Sequence, residues 1–220
     1  MGRSKRQIEE NKSVLLFFSI LAVLLFVPLF VFQQIGPMDF WWWMSLNLII
    51  VIGLGLLTDH YYVRELKKDF SRRIAFKITY GLFSALVLYL LFFFGNILIR
   101  NIFEEAAKGI SNVYAFKGDA PSWRIAVLML LVIGPGEELF WRGFLQRKYA
   151  NRFGKYKGFI LGVIIYTAVH IATGNLVLIL AALVCGIFWG WLYMKYKSML
   201  LNIISHTVWD LAVFLIIPFS

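Results

Sequence analysis

Glu137, Glu138 and Arg142 fall inside an apolar stretch, in GPGEELFWRGF (134–144). Three more ionisable groups fall in two other apolar stretches, His170 in YTAVH and His206 with Asp210 in HTVWD. Insertion scales place an Asp, Lys or Arg at the centre of a membrane helix at roughly +2.5 to +3.5 kcal/mol. Charges kept against that cost face a protein interior or a water-filled cavity and mark function. Glu138 and Arg142, four residues apart, share one helical face and can pair. Glu137 lies about 100° further round the helix and has no partner at that spacing. It must find water, a histidine or a metal elsewhere. Gly134, Pro135 and Gly136 just before it read as a kink that leaves room for a water-filled pocket.

A carboxylate with two imidazoles supports two kinds of chemistry. Glu137, His170 and His206 could hold a divalent metal such as zinc, or Glu137 could activate a water as general base. Either leads to hydrolysis, and of a peptide bond if donors also meet the developing oxyanion. Serine or cysteine chemistry fits less well. Ser205 adjoins His206 but points away from it on a helix, and the single cysteine, Cys185, reads as small filler at a helix contact.

Six apolar runs, 14–32, 41–57, 78–99, 158–172, 176–194 and 199–217, approach the length that crosses roughly 30 Å of hydrocarbon. The charged stretch 124–146 makes a seventh. With 60% hydrophobic residues and a mean hydropathy of +0.75, the chain is expected to be one all-α integral membrane domain over 1–220. Residues 1–99 would supply N-terminal helices and 124–217 the core that carries the motifs. The first run is too long for a cleaved signal and lacks a small-residue site.

Charge sets the orientation. With seven spans and the N-terminus in the cytoplasm, seventeen Lys and Arg face inward, from Arg3, Lys5, Arg6 and Lys12 to Lys195 and Lys197. Only Arg100, Lys108, Lys117 and Arg124 face outward. This is the asymmetry of the positive-inside rule. The net charge of +10 then belongs to lipid headgroups rather than nucleic acid. Trp41, Trp42 and Trp43 open the second span at the outer interface, and Asp59–His60 close it in an interfacial structural role. Between spans three and four, Ile102, Phe103, Ala106, Ala107, Ile110 and Val113 recur at helical spacing around Glu104, Glu105 and Lys108. They predict a short amphipathic helix on the outer surface with a solvated Glu104–Glu105 face. Spans five and six form a tight hairpin through Thr173, Gly174 and Asn175. Gly186 and Gly190 give a face suited to close helix packing. At 1.5 Å per residue, Glu137, His170, His206 and Asp210 all come out roughly 13–20 Å below the cytoplasmic ends of their helices. Three spans thus carry ionisable groups to one depth.

These motifs resemble those of the CPBP family, the CAAX proteases and bacteriocin-processing enzymes also called Abi proteins. Glu137-Glu138 with Arg142 is similar to its E-E-x-x-x-R motif, His170 to the histidine of F-x-x-x-H, and His206 with Asp210 to H-x-x-x-N/D. The likeness covers roughly 124–217. It implies a membrane-embedded endopeptidase whose cavity opens to the cytoplasm. Glu137 would activate water with the help of His170, as a glutamate protease or a metalloprotease. Glu138 and Arg142 would hold the pocket in shape, and His206 with Asp210 would line the oxyanion side. Two positions depart from the pattern. Tyr166 replaces Phe and brings a hydroxyl near His170. Asp210 replaces the Asn of the eukaryotic CAAX enzymes, and an ionised carboxylate has no proton to donate to an oxyanion. Asp210 would orient His206 or ligate a metal. Expected substrates are prenylated CAAX tails, secreted peptides or membrane regulators, and the compact chain suits a bacterial plasma membrane. Two rivals are a non-catalytic immunity or scaffold protein of the same family, and a proton-coupled transporter. Against the transporter, no pair of broken helices repeats.

Overall fold

The computed structural model describes residues 5–102 and 105–219, with only the backbone described for 5–12, 102 and 106. Arg3, Phe103 and Glu104 lie outside the described residues. Among the described residues, all regular structure is helical apart from one isolated bridge between Ile35 and Met38. In chain order the helices are α1 (Lys5–Phe32), α2 (Phe40–Thr58), α3 (His60–Asp69), α4 (Ile74–Ile102) and α5 (Ala106–Ala115). Next comes α6, a continuous run from Ser122–Leu128 to Arg147–Phe153, then α7 (Lys155–His170), α8 (Leu176–Tyr196) and α9 (Met199–Leu211, extended by Ala212–Ile216).

Six helices are long and apolar enough to cross a membrane by themselves: α1, α2, α4, α7, α8 and α9. With α6, interrupted by charge, the protein is a multi-pass bundle of about seven spans. The predicted amphipathic helix is α5, and Glu105 just before it is exposed. A second surface helix, α3, was not apparent from apolar periodicity, because HYYVRELKKD is too polar.

Local signals start and stop the helices. Asp39 caps α2 by accepting from the Trp41 and Trp42 N–H groups, both at 3.1 Å. Asn175 caps α8 and Ser198 caps α9 in the same way. The hairpin between α7 and α8 turns on Gly174 at φ +63°, a conformation glycine adopts without strain. In hydrocarbon every backbone polar group must be satisfied within the fold, so this helical design is the natural one. Asn47 adds a side-chain tie from α2 to α1, donating to the Leu25 carbonyl at 2.8 Å.

The basic ends of the helices gather on one face. There Asp59 caps α3 through the Tyr62 N–H at 3.0 Å and pairs with Arg147 at 2.6 Å and Lys148 at 2.9 Å. Burial pushes its carboxyl up, but Lys148, the Tyr62 N–H and Arg147 outweigh this and hold it below the usual carboxylate range. Asp59 thus has the interfacial structural role expected of it, while His60 is exposed. Asp69 pairs with Lys77 at 2.6 Å and accepts from the Leu200 N–H at 2.9 Å, tying α3 to α4 and α9. The opposite face is held by Arg124 on Asp39 and by Asn175 donating to the Gly109 carbonyl.

The centre of the bundle is α6. Phe140, Phe144 and Leu145 on it are almost fully buried, with Phe18 and Phe26 of α1 and Leu48 of α2 around them. By contrast α4 turns Leu86, Leu91, Phe94 and Leu98 outward, as a lipid-facing helix does.

Candidate active site

Glycines decide where α6 sits. A Cβ on Gly134 would collide with Thr207 of α9, and one on Gly136 would meet Ile52 and Leu48 of α2 at 3.1 and 3.2 Å. The Gly-Pro-Gly stretch therefore lets three helices approach closely. The expected water pocket is not what these glycines make, since neighbouring side chains take up the room. The helix continues through Pro135, with wide π turns at Met129–Ile133 and Glu138–Gln146. Such turns accommodate a residue without an N–H and occur frequently at functional sites.

Beyond this contact the two glutamates diverge. Glu138 is fully buried and clasped from three sides. Arg142 lies 3.1 Å from its Oε1 and His206 Nδ1 2.8 Å from the same oxygen, while Asn202 donates to Oε2 at 2.8 Å. Arg142 is sandwiched between the rings of Tyr166 and Trp189, 4.4 and 5.5 Å from their centroids. Glu137 instead accepts one hydrogen bond, from the Tyr166 hydroxyl at 2.9 Å. His170 Nδ1 is 2.7 Å from the Tyr166 carbonyl, so one residue of α7 contacts both groups. His206 lies flat on Trp189, ring centres 3.6 Å apart, with Nε2 3.4 Å from Asp210 Oδ2.

Glu137, Tyr166, His170, His206 and Asp210 all line one cavity of about 330 Å³. The three spans whose charges matched in depth do converge, while Glu138 and Arg142 stand behind the cavity wall. Three contributors went unnoticed in the sequence. Asn202 had a signal, since Asn202, His206 and Asp210 repeat every four residues along one face of α9. Trp189 and the Tyr166–Glu137 bond had none, because both depend on how α7 and α8 pack against α6. Ser205 accepts from the Trp189 indole N–H at 3.1 Å and is buried away from the cavity. Cys185 lines the cavity as a small buried residue. The Gly186–Gly190 face packs inside the monomer, against Tyr166 of α7 and Gln146 of α6.

Residues 119–212 match the family model of the type II CAAX prenyl endopeptidases, Rce1-like. That family belongs to the CPBP group, so this segment is similar to a CPBP-family core. It contains all six motif residues, and the family supports protease activity within the membrane. No curated protein and no solved structure matches the chain significantly.

Two further features of this segment bear on its chemistry. No group of three His, Cys, Asp or Glu side chains is placed to hold a metal ion among the described residues. Both nitrogens of His206 already face carboxylates, so Glu137, His170 and His206 do not form a ready cage. The second feature is direction. The cavity is walled by the ends of the helices remote from the basic face, including Phe30 of α1, Trp41 of α2 and Phe214 after α9.

Proposed function

We propose that this protein is an intramembrane endopeptidase in which Glu137 activates the attacking water. The observation that carries this is the contrast between adjacent carboxylates. Glu138 is neutralised by Arg142 and held by His206 and Asn202, whereas Glu137 faces the cavity with a single hydrogen bond. Two carboxylates in such different surroundings take different roles.

In this reading Tyr166 holds one Glu137 oxygen and leaves the other for water. Glu137 takes the proton as the water oxygen attacks the scissile carbonyl carbon, and His170 helps to place that water. The oxyanion forms towards His206 Nε2, whose 3.4 Å separation from Asp210 Oδ2 lets its N–H turn to the substrate, while the ring is fixed by Trp189 beneath it and by Glu138 at Nδ1. Collapse breaks the C–N bond and returns the proton from Glu137 to the leaving nitrogen, giving a carboxylic acid, which then ionises to solvent, and a free amine. Asp210 orients His206 from the Nε2 side. The described side chains as arranged do not form a metal cage, and in this mechanism Glu137 activates the water by itself.

Purified wild type and Glu137→Ala, offered the same peptide mixture with bound metal assayed on both, test the proposal. Wild type should cleave, and Glu137→Ala should lose about 10²–10⁴-fold. Cleavage retained in Glu137→Ala would sink the assignment, and metal lost with Glu137 would replace the metal-free version. A non-catalytic role in the same family predicts that Glu137→Ala leaves the cellular phenotype intact.

A further inference from the structure

The basic face carries a polar cleft that the peptidase reading does not use. We propose that this cleft binds the phosphate of an anionic phospholipid headgroup, with the lipid's chains lying along α4 and α8. It shares no lining residue with the cavity at Glu137, so the proposal is independent of the chemistry there.

Charge carries the argument. The cleft holds about 560 Å³, within the range of small-ligand sites. Lys68, Arg72, Lys77, Arg147, Lys155 and Lys197 line it, against only Glu65 and Asp69. Both carboxylates are taken, Asp69 by Lys77 at 2.6 Å and Glu65 by Arg147 at 3.3 Å. Among the described residues, Lys68, Arg72, Lys155 and Lys197 have no carboxylate within ion-pairing reach. The neighbouring cleft differs, because there Arg147 and Lys148 both pair with Asp59. The positive-inside rule accounts for cations on this face, but not for four unpaired ones in one concavity. Held together they repel, and an anion between them relieves that repulsion.

Donors are in place as well. Lys77 is only 7% exposed, and Asp69 takes two of its three ammonium N–H groups, through its carboxylate and its main-chain carbonyl. The third is left for the cleft. In the same wall the Tyr193 hydroxyl has no hydrogen-bond partner among the described residues. Lys197 ends α8 at φ +49°, a left-handed conformation where glycine is the unstrained choice, yet a cation stands there and lines the cleft.

What lies beside the cleft selects the source of the phosphate. Phe76 and Tyr196 are the chain neighbours of the cleft residues Lys77 and Lys197. Their ring centres are 6.3 Å apart, and Tyr80 completes the cluster at 4.2 Å from Phe76 and 6.0 Å from Tyr196. Phe76 and Tyr80 are 39% and 43% exposed, so an aromatic shelf leads from the cleft onto the lipid-facing side of α4. Tyrosines so placed mark the membrane–water boundary, and basic pockets between helices at that level hold anionic headgroups. A free phosphate ion would match the cations and make no use of the shelf.

Two triple variants test the proposal in neutral detergent, with bound lipid counted by native mass spectrometry. One removes charge inside the cleft, by Lys68→Gln, Arg72→Gln and Lys197→Gln. The other removes the same charge from exposed positions outside it, by Arg64→Gln, Lys67→Gln and Lys157→Gln. Wild type should retain one phosphatidylglycerol per chain in preference to phosphatidylcholine. The cleft triple should bind phosphatidylglycerol at least about tenfold more weakly, and the outside triple should match wild type. Equal weakening in both triples would mean diffuse surface charge and overturn the site, as would a wild type with no preference over phosphatidylcholine. Inorganic phosphate is the third probe. If it displaces the lipid at equal concentration, the cleft belongs to a soluble phosphate and the lipid assignment is overturned. Both triples should unfold at the wild-type temperature without lipid. If the cleft triple does not, Arg72→Glu alone, on an exposed turn, gives the same comparison. None of these readouts depends on cleavage, so a failure of the endopeptidase reading would leave them unaffected.

Discussion

Glu137 and Glu138 are chain neighbours with the same side chain, and the fold treats them oppositely. Glu138 sits in a clasp of Arg142, His206 and Asn202 with no exposure. Glu137 touches Tyr166 and faces a cavity. One helix step, about 100°, separates a buried, ion-paired carboxylate from one that faces the cavity. In a membrane both are expensive to insert, so each must be retained for a different reason.

The largest way to sharpen this contrast is Glu138→Ala. It strands Arg142 in the interior, and breaking a buried ion pair in this way costs about 3–5 kcal/mol. Thermal unfolding in detergent should show a large loss of stability along with any loss of activity. An unfolding curve like that of wild type would mean that the clasp is not structural.

Tyr166→Phe comes next. It restores the family's residue and removes the hydrogen bond to Glu137. Losing a bond to a charged group should lower kcat by about tenfold, or 1.4 kcal/mol, with KM unchanged. A purely structural Tyr166 would instead change stability and leave kcat alone.

Asp210→Asn should be milder, roughly a threefold fall in kcat, because the amide oxygen still faces His206 Nε2 and only the charge is lost. Unchanged activity and unchanged metal content together would count against both roles expected for Asp210.

The smallest effect lies outside the site. Asp59→Asn should cost about 1 kcal/mol or less, as partly exposed ion pairs do. Because the Asp59 carboxyl is held below its usual range, that contribution is complete above the ordinary carboxylate pKa. It fades as pH falls through the lowered value. Unfolding curves of wild type and Asp59→Asn should therefore converge in acid, and a constant gap would show that Asp59 acts through packing rather than charge.

Much of this was legible in the sequence. Long apolar runs must be helices in hydrocarbon, four-residue spacings pair Glu138 with Arg142 and His206 with Asp210, and basic residues mark one face. What stayed hidden depends on contacts between elements. Tyr166 reaches Glu137 only because Gly186 lets α7 and α8 close together. Gly134 and Gly136 looked like a break in α6 because glycine beside proline usually is one, yet Thr207 and Leu48 needed that space.

The most direct test of the account is the cleavage rate of Glu137→Gln, measured on protein whose unfolding temperature is recorded alongside. The amide keeps the shape of the side chain and removes only its ability to take a proton. The account predicts wild-type unfolding with cleavage lost by at least about a hundredfold. Cleavage at the wild-type rate would contradict it and leave Glu137 as one more buried polar group.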